Sequence, residues 1–122
     1  MNAPTDEIPV HNPAASEAWI REVSNRIAKG VAVVTSAERE AKRKRREFDL
    51  AYAHAYKRAE GSIKEREYAA DIAAMPHREA AENAELAYKH AERTAKALEK
   101  ELMAAMAVNS NIRSMWTAAG VS

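Results

Sequence analysis

The sequence feature that most constrains the fold is a heptad repeat of small and apolar residues towards the C-terminus. Its positions alternate at spacings of four and three residues: Ala84, Tyr88, Ala91, Ala95, Leu98, Leu102, Ala105, Asn109, Ile112 and Trp116. A period of 3.5 residues is typical of a helix that packs lengthwise against a second helix. Asn109 resembles the single polar residue that fixes register in such seams. The repeat predicts an all-α fold: an elongated, coiled-coil-like antiparallel helical hairpin.

Glycines, a proline and capping residues place the predicted helix boundaries. Gly30 and Gly61 stand where a glycine typically ends a helix, and Pro76 disfavours helical geometry in the residue before it. Thr35 and Ser62 each precede a glutamate at the spacing of a capping box, which predicts a helix start. The predicted helices cover about 13–29, 35–60, 62–75 and 76–116. The second and fourth form the hairpin, the third forms the bend, and the first is an additional N-terminal helix.

The chain is predicted to divide into an arm and one domain. Residues 1–12 contain two prolines and little that can be buried, so we expect a flexible N-terminal arm; residues 13–122 form a single helical domain. Asn12 is a good N-cap, and Pro13 suits the first helical position. The β-branched run 31–35 is predicted to be an apolar hinge or the first turn of the second helix.

Composition limits the core and suggests a setting. Apolar residues make up 47% of the chain, but 28 of them are alanines, which contribute little when buried. The core must be thin or completed by another copy, so we expect a homo-oligomer. The first residues lack the basic and apolar regions of a signal peptide, and no apolar stretch approaches the roughly 18–20 residues of a membrane span. We therefore expect a cytoplasmic protein without membrane contact.

The most concentrated charge is a basic segment in the second predicted helix. Its cations are Arg39, Lys42, Arg43, Lys44, Arg45 and Arg46. Five consecutive cations surround the whole circumference of a helix, so Lys44 or Arg45 must approach the seam. Such a segment can follow the phosphates of a nucleic acid, with an affinity that falls as salt rises. The alternative is a solvated surface matched by acidic residues of the fourth helix, including Glu92, Glu99 and Glu101.

A second candidate surface combines methionine and tryptophan. Residues 102–116 carry apolar side chains on more than one helix face, which a single hairpin partner cannot bury. Methionine is common on adaptable binding surfaces, and tryptophan often anchors interfaces. The candidate partner-binding residues are Trp19, Leu102, Met103, Met106, Ile112, Met115 and Trp116. The alternative is a local core, in which the first helix covers this stretch with Trp19, Ile20, Val23 and Ile27.

No motif in the chain points to catalysis or to a cofactor. The four histidines are His11, His54, His77 and His90, and none stands in the E-x-x-H or H-x-x-x-H spacing of helical metal sites. Several glutamates stand four residues before a lysine and are interpreted as helix-supporting pairs: Glu85–Lys89, Glu92–Lys96 and Glu38–Lys42. The chain has no cysteine, no glycine-rich phosphate loop and no nucleophile elbow. We expect no enzyme, catalytic residue, cofactor, metal or small-molecule substrate.

Three segments resemble a group of small, mostly uncharacterised α-helical phage proteins. They are residues 51–67 (AYAHAYKRAEGSIKERE), residues 84–89 (AELAYK) and residues 109–116 (NSNIRSMW). Members of this group are often encoded near phage genes for recombination or replication. The resemblance covers about residues 40–116, and it implies a phage origin, the cytoplasm of a bacterial host and an antiparallel helical hairpin without catalytic residues.

Together these features favour a non-enzymatic adaptor that serves phage DNA metabolism by binding a protein partner through its methionine- and tryptophan-rich end. Direct nucleic-acid binding through residues 39–46 is the first alternative. The second is a small phage inhibitor of a host enzyme or defence complex. A structural component of the virion is the remaining class.

Overall fold

The structure is a computed structural model that describes residues 12–120. It contains two helices, α1 (Pro13–Arg58) and α2 (Ile63–Ala118), and no strand occurs within this described range. Four residues, 59–62, connect the helices. The predicted all-α helical hairpin is therefore confirmed. The predicted flexible arm, residues 1–12, lies outside the described residues except for Asn12.

Two capping groups begin the helices where the sequence places them. The Asn12 side-chain Oδ1 accepts a hydrogen bond from the backbone N–H of Ala15 at 2.9 Å. The backbone N–H of Glu65 donates to Ser62 Oγ at 3.2 Å, and the Ser62 hydroxyl donates to Glu65 Oε1 at 3.1 Å. These bonds satisfy backbone donors that the first turn of a helix leaves free. Between the helices, Gly61 adopts a φ of +105°, which favours glycine.

The separate N-terminal helix is absent. α1 passes without interruption through Gly30 and through residues 31–35, so the predicted helix end, hinge and second helix start are wrong. Gly30 does not adopt the positive φ of a terminating glycine. An interior glycine costs about 1 kcal/mol and a β-branched residue less than that. A break would free several backbone hydrogen-bonding groups and interrupt packing, so the continuous helix prevails.

α2 likewise passes through Pro76, so the predicted helices 62–75 and 76–116 are one helix. Proline removes one backbone donor and costs about 3 kcal/mol in a helix interior. Pro76 is exposed, as is Ile72, whose carbonyl loses its helical partner and can bind water instead. The buried alanines Ala74 and Ala81 stand one heptad apart on either side of the proline. The packing face therefore keeps its phase, and this favours a single helix.

The chain forms two compact units. The terminal unit combines Met1–Val31 with Thr94–Ser122, and the central unit is Ala32–Arg93. In the terminal unit the buried apolar residues are Val23, Leu98 and Ala105. In the central unit they are all alanines: Ala41, Ala55, Ala70, Ala74, Ala81 and Ala91. Composition predicts a core with few bulky side chains. This holds most strongly in the central unit, where every buried apolar residue is an alanine.

The predicted heptad seam is the packing face of α2. All ten of its positions, from Ala84 to Trp116, are buried or half-buried. Asn109 is half-buried, and its Oδ1 is a buried atom with no hydrogen-bond partner among the described residues. Ser16 in α1 is fully buried and its Oγ also lacks a partner there. The polar seam residue is therefore inside as predicted, although the structure shows no bond through which it fixes register.

Candidate interaction surfaces

The basic segment lies on α1 in the central unit, and half of its cations are neutralised by the same helix. Arg43 donates three hydrogen bonds to the Glu40 carboxylate, at 2.7, 2.9 and 3.0 Å, and one to Glu47 at 3.0 Å. These contacts raise the pKa of Arg43 above its ordinary value, chiefly through the Glu40 hydrogen bond. Lys44 pairs with Glu47 at 3.4 Å. Neutralisation thus comes from within α1.

A third intrahelical pair joins Arg45 Nε to Asp49 at 3.5 Å. The acidic partners expected on the other helix, Glu92, Glu99 and Glu101, form no ion pair with the basic segment in the described part of the chain. Lys44 is the cation that approaches the seam, since its side chain is only 30% exposed. Three of the six cations are therefore paired, and their carboxylate partners lie on α1 itself.

Three cations of the segment are left over and share one helix face. Within residues 12–120, no carboxylate lies within 4.0 Å of Arg39, Lys42 or Arg46. All three are exposed. Their spacings of three and four residues place them within about a third of the helix circumference. We call these three residues the cationic face.

A groove beside the cationic face carries mixed charge over an apolar floor. It has a volume of about 540 Å³ and lies between α1 and α2 within the central unit. The lining residues are Ala41, Lys42, Arg45, Phe48, Arg78, Ala81, Glu82, Glu85, Leu86 and Lys89. Arg78 is paired with Glu82 at 3.6 Å. With four cations and two carboxylates, the groove is better suited to an anionic group than to a cation.

An aromatic row follows the basic segment, and the sequence reasoning missed it as a surface feature. The ring centroids of Phe48 and Tyr52 lie 6.5 Å apart, and Tyr52 stacks on Tyr56 at the same distance. Arg45 lies over the Phe48 ring at 5.4 Å, and Arg66 over Tyr56 at 5.6 Å. The spacing of four residues between these aromatic residues was the available signal, because it places them on one helix face.

In the terminal unit, the predicted partner-binding residues fall into two sets. Four side chains are half-buried in the packing of α1 against α2: Trp19, Leu102, Ile112 and Trp116. For these, the alternative of a local core is the better description. Met103, Met106 and Met115 are 70%, 55% and 68% exposed. Met103 and Met106 stand on one face of α2, and we call these two residues the methionine surface. Met115, nine residues beyond Met106, lies on the opposite side of the helix.

The chain beyond Met103 is almost uncharged, whereas exposed Glu99 and Lys100 stand one turn before it. From Leu102 to Gly120 the chain contains one charged residue, Arg113, which forms an ion pair with Glu17 of α1. A second ion pair joins Arg26 of α1 to Glu101 of α2 at 3.3 Å across the two helices of this unit. The exposed residues of the last turns of α2 are therefore mostly methionine, alanine, asparagine, serine and threonine, with Arg113 as the one charged residue in this stretch.

The predicted glutamate–lysine pairs and three of the four histidines can also be located in the structure. The pairs Glu85–Lys89, Glu92–Lys96 and Glu38–Lys42 do not form ion pairs within 4.0 Å in residues 12–120. Instead, the Tyr88 hydroxyl donates to Glu38 Oε2 at 3.1 Å across the two helices of the central unit. This bond is the main cause that raises the pKa of Tyr88 to about 12. Three histidines, at positions 54, 77 and 90, are exposed.

Within the described range, no three histidine or carboxylate side chains converge in a way that would hold a metal ion. Neither described helix has a stretch of the length and apolarity that a membrane span requires. Comparisons of the chain with protein-family models, curated proteins and solved structures found no match. The two helices thus define an all-α helical hairpin. Its exposed surfaces are the basis on which a function is inferred.

Proposed function

We propose that the chain is a non-enzymatic interaction protein of a phage, which supports DNA recombination or replication by binding a protein partner through the methionine surface. One observation carries this proposal: Met103 and Met106 are 70% and 55% exposed on one face of α2, at the start of a stretch, Leu102 to Gly120, that contains one charged residue. The setting in phage DNA metabolism is supported by the resemblance of residues 40–116 to helical phage proteins.

The chemistry of the surface favours an apolar protein partner. Exposed apolar patches bordered by polar residues often mark protein interaction sites. Met103 and Met106 lie about one turn apart on the outer side of α2, with exposed Ala107 and Ser110 beside them. Methionine side chains are flexible, so they adapt to the apolar face of an amphipathic helix.

The proposal is tested by recovering the partner from infected cells. The tagged full chain and the variant Met103→Glu/Met106→Glu are purified in parallel, with Leu50→Glu as the matched control because Leu50 is an exposed apolar residue of the central unit. We expect a phage-encoded protein to co-purify with the wild type and the control, and to be lost from the methionine variant. Equal recovery with all three chains contradicts the proposal.

The same experiment separates the competing protein-binding roles. A host protein recovered in place of a phage protein, and lost with the methionine variant, would identify an inhibitor of a host enzyme or defence complex. Mass spectrometry of purified particles checks the remaining class, since a virion component would be found there in stoichiometric amounts.

A second candidate function, direct nucleic-acid binding, is favoured by the cationic face. Arg39, Lys42 and Arg46 have no carboxylate within ion-pair distance in the described residues, so they remain able to bind phosphates. The groove adds Arg45 and Arg78. The aromatic row is half-buried and offers the Phe48 ring beside Arg45, at 5.4 Å. Cations and aromatic rings together are the features that bind single strands.

This candidate is tested by affinity for DNA as a function of salt. The triple variant Arg39→Gln/Lys42→Gln/Arg46→Gln removes the cationic face, and Arg43→Gln is the matched control because Arg43 is already paired. Each phosphate contact contributes about 0.9 to the slope of log affinity against log salt on duplex DNA. We expect the triple variant to lower the slope by about 2–3 and the control to leave it unchanged. Binding without salt dependence would reject this function.

A further inference from the structure

α1 carries a line of exposed cations that extends beyond the basic segment. Arg39, Arg46 and Lys57 are separated by about two and about three helical turns, so they lie in line along one side of the helix. Lys42 stands about 60° round the helix from that line. All four side chains are exposed. We call Arg39, Lys42, Arg46 and Lys57 the cationic row; it is about 27 Å long at 1.5 Å per residue.

The carboxylates of α1 do not neutralise the cationic row. Within residues 12–120, no carboxylate lies within 4.0 Å of any of its four cations, and this includes Glu60, which follows the end of α1. Between residues 35 and 58, every carboxylate of α1 stands at least about 80° round the helix from the line of the row. Each of them has a partner elsewhere: Glu38 binds Tyr88, Glu40 and Glu47 bind Arg43, and Asp49 binds Arg45.

The aromatic row lies on a different side of α1 from the cationic row. Its three rings stand about 100–180° round the helix from the line of the cations. The ring faces are also occupied, since Arg45 lies over Phe48 at 5.4 Å and Arg66 over Tyr56 at 5.6 Å. Proteins that bind single strands stack the bases on aromatic side chains beside the backbone-binding cations. A strand that follows the cationic row therefore meets no ring on which its bases can stack.

We propose that the cationic row binds the phosphate backbone of a nucleic-acid duplex. This inference rests on the second candidate function, direct nucleic-acid binding, and names the form of nucleic acid that is bound. A DNA duplex carries one charge per about 1.7 Å of its axis, which is twice the charge density of one of its strands. The row offers a matching line of charge that spans about eight base pairs at 3.4 Å each.

Rigidity favours the duplex over the single strand. The four cations stand on one uninterrupted helix, so their relative positions along α1 are fixed. A duplex is stiff, with a persistence length of about 150 base pairs, and presents its phosphates along a fixed path. A single strand loses conformational freedom when it is straightened along the row, and base stacking is not available there to offset this loss.

An anionic membrane surface fits the row less well. The row lies opposite the packing face of α1, since buried Ala41 and Ala55 stand about 160–200° round the helix from its line. Between residues 39 and 57, Leu50 is the only bulky apolar side chain within about 60° of that line. Helices that bind at a membrane surface insert a broad apolar face beside their cations. The row presents charge without such a face.

Fluorescence anisotropy with the full chain tests the form of the ligand. The probes are a duplex of mixed sequence, about 20 base pairs long so that it exceeds the row, and one of its strands alone. Vesicles that contain phosphatidylserine are the third probe. At equal salt we expect the duplex to be bound at least about tenfold more tightly than the strand, with a salt slope of about 3.6 for four contacts.

The outcomes distinguish this inference from the function on which it rests. Binding of neither nucleic acid rejects direct nucleic-acid binding and the inference with it, and so does binding to the vesicles alone. A strand that is bound as tightly as the duplex leaves nucleic-acid binding in place and overturns the assignment to a duplex.

Removal of one charge tests how far the row extends. Lys57→Gln removes its last cation, and Arg58→Gln is the matched control, because exposed Arg58 is the next residue and stands about 100° round the helix from the row. We expect Lys57→Gln to lower the salt slope on the duplex by about 0.9, and Arg58→Gln to leave it unchanged. An unchanged slope for Lys57→Gln, or an equal loss in the two variants, overturns the row as defined.

Addition of one charge gives a gain that misfolding cannot imitate. Exposed Ala53 lies between Arg46 and Lys57, about 40° from the line of the row. We expect Ala53→Lys to raise the salt slope on the duplex by about 0.9. The control Asn83→Lys adds the same charge to the outer side of α2, about 200° round that helix from buried Ala81, and should not change the slope. Equal gains in both variants would show a response to net charge alone and overturn the assignment.

Discussion

The two units of the hairpin hold their helices together in different ways. In the terminal unit the buried residues include Val23 and Leu98, and both described ion pairs, Arg26–Glu101 and Glu17–Arg113, join the two helices. In the central unit every buried apolar residue is alanine. Each of the six ion pairs described there joins two residues of the same helix. The terminal unit is therefore held by bulky buried side chains and by ion pairs between its helices. The central unit is held by the packing of small side chains.

This difference teaches which kind of substitution each unit can tolerate. A bulky side chain leaves a cavity when it is truncated, and its loss cannot be repaired by small shifts of the helices. Replacing a buried helical alanine with glycine costs about 1 kcal/mol, because glycine is the poorer helix former, whereas the close packing around it leaves no room for a larger side chain. The terminal unit should therefore be sensitive to truncation and the central unit to enlargement.

Truncation of Leu98 should give the largest effect. Leu98 is 8% exposed in the terminal unit, whereas Leu86 is 65% exposed in the central unit. We expect Leu98→Ala to lower the free energy of unfolding by about 2–5 kcal/mol. The chemically identical change Leu86→Ala should stay within about 0.5 kcal/mol. Urea denaturation of both variants measures the difference, and equal losses would contradict the assignment of a bulky core to the terminal unit.

Enlargement in the central unit should give the next largest effect. Ala70 is fully buried, and its neighbour Ala69 is exposed. Ala70→Leu forces extra volume into a close helix contact and should cost about 1–3 kcal/mol of unfolding free energy. Ala69→Leu adds the same side chain towards solvent and should change little. A well-tolerated Ala70→Leu would mean that the alanine contact is loose, which thermal unfolding of the two variants would reveal.

Two glycines should respond with opposite signs. A Cβ added at Gly30 meets no atom within 4 Å, so Gly30→Ala in the interior of α1 should stabilise the protein by about 0.5–1 kcal/mol. Gly61 has a φ of +105°, and a Cβ there would lie 2.5 Å from the Glu65 carboxylate, so Gly61→Ala should be destabilising by more than about 1 kcal/mol. Chemical denaturation checks both signs. Destabilisation by Gly30→Ala would argue that α1 needs flexibility at this point.

Sequence reasoning predicted the seam because a 3.5-residue period reports on packing over many turns, whereas single residues report on local preference only. Gly30 and Pro76 carry local penalties of about 1 and 3 kcal/mol, which continuous packing outweighs. The exposure of Met103 follows from its position between seam residues, so this signal was present in the sequence. The pairing of Arg43 with Glu40 was also readable from its spacing of three residues.

Contacts between distant residues had no such signal. The Tyr88–Glu38 hydrogen bond spans fifty positions, and nothing local in the sequence relates its two ends. The aromatic row was readable as a helix face, but the stacking of Arg66 over Tyr56 joins the two helices and depends on the turn between them. Tertiary pairing therefore had to come from the structure.

The smallest expected effect is a pH dependence of stability. Spectroscopy can follow each of the two units separately. All four tyrosines lie in the central unit, and both tryptophans lie in the terminal unit. Phenolate absorbance therefore reports on the central unit, and tryptophan fluorescence reports on the terminal unit. The Tyr88 hydroxyl donates to Glu38, and this bond raises the pKa of Tyr88 from 10.0 to about 12.

Because the folded pKa of Tyr88 is raised, the protonated phenol stabilises the folded chain. That contribution is fully present below pH 10, the ordinary value, and it is lost as the pH rises through about 12. We expect the Tyr88 phenol to titrate near pH 12 in the wild type, and this late contribution to be absent from Tyr88→Phe. The wild type should also lose more stability than Tyr88→Phe between these pH values. A late phenol titration that persists in Tyr88→Phe would contradict the assignment of this step to Tyr88.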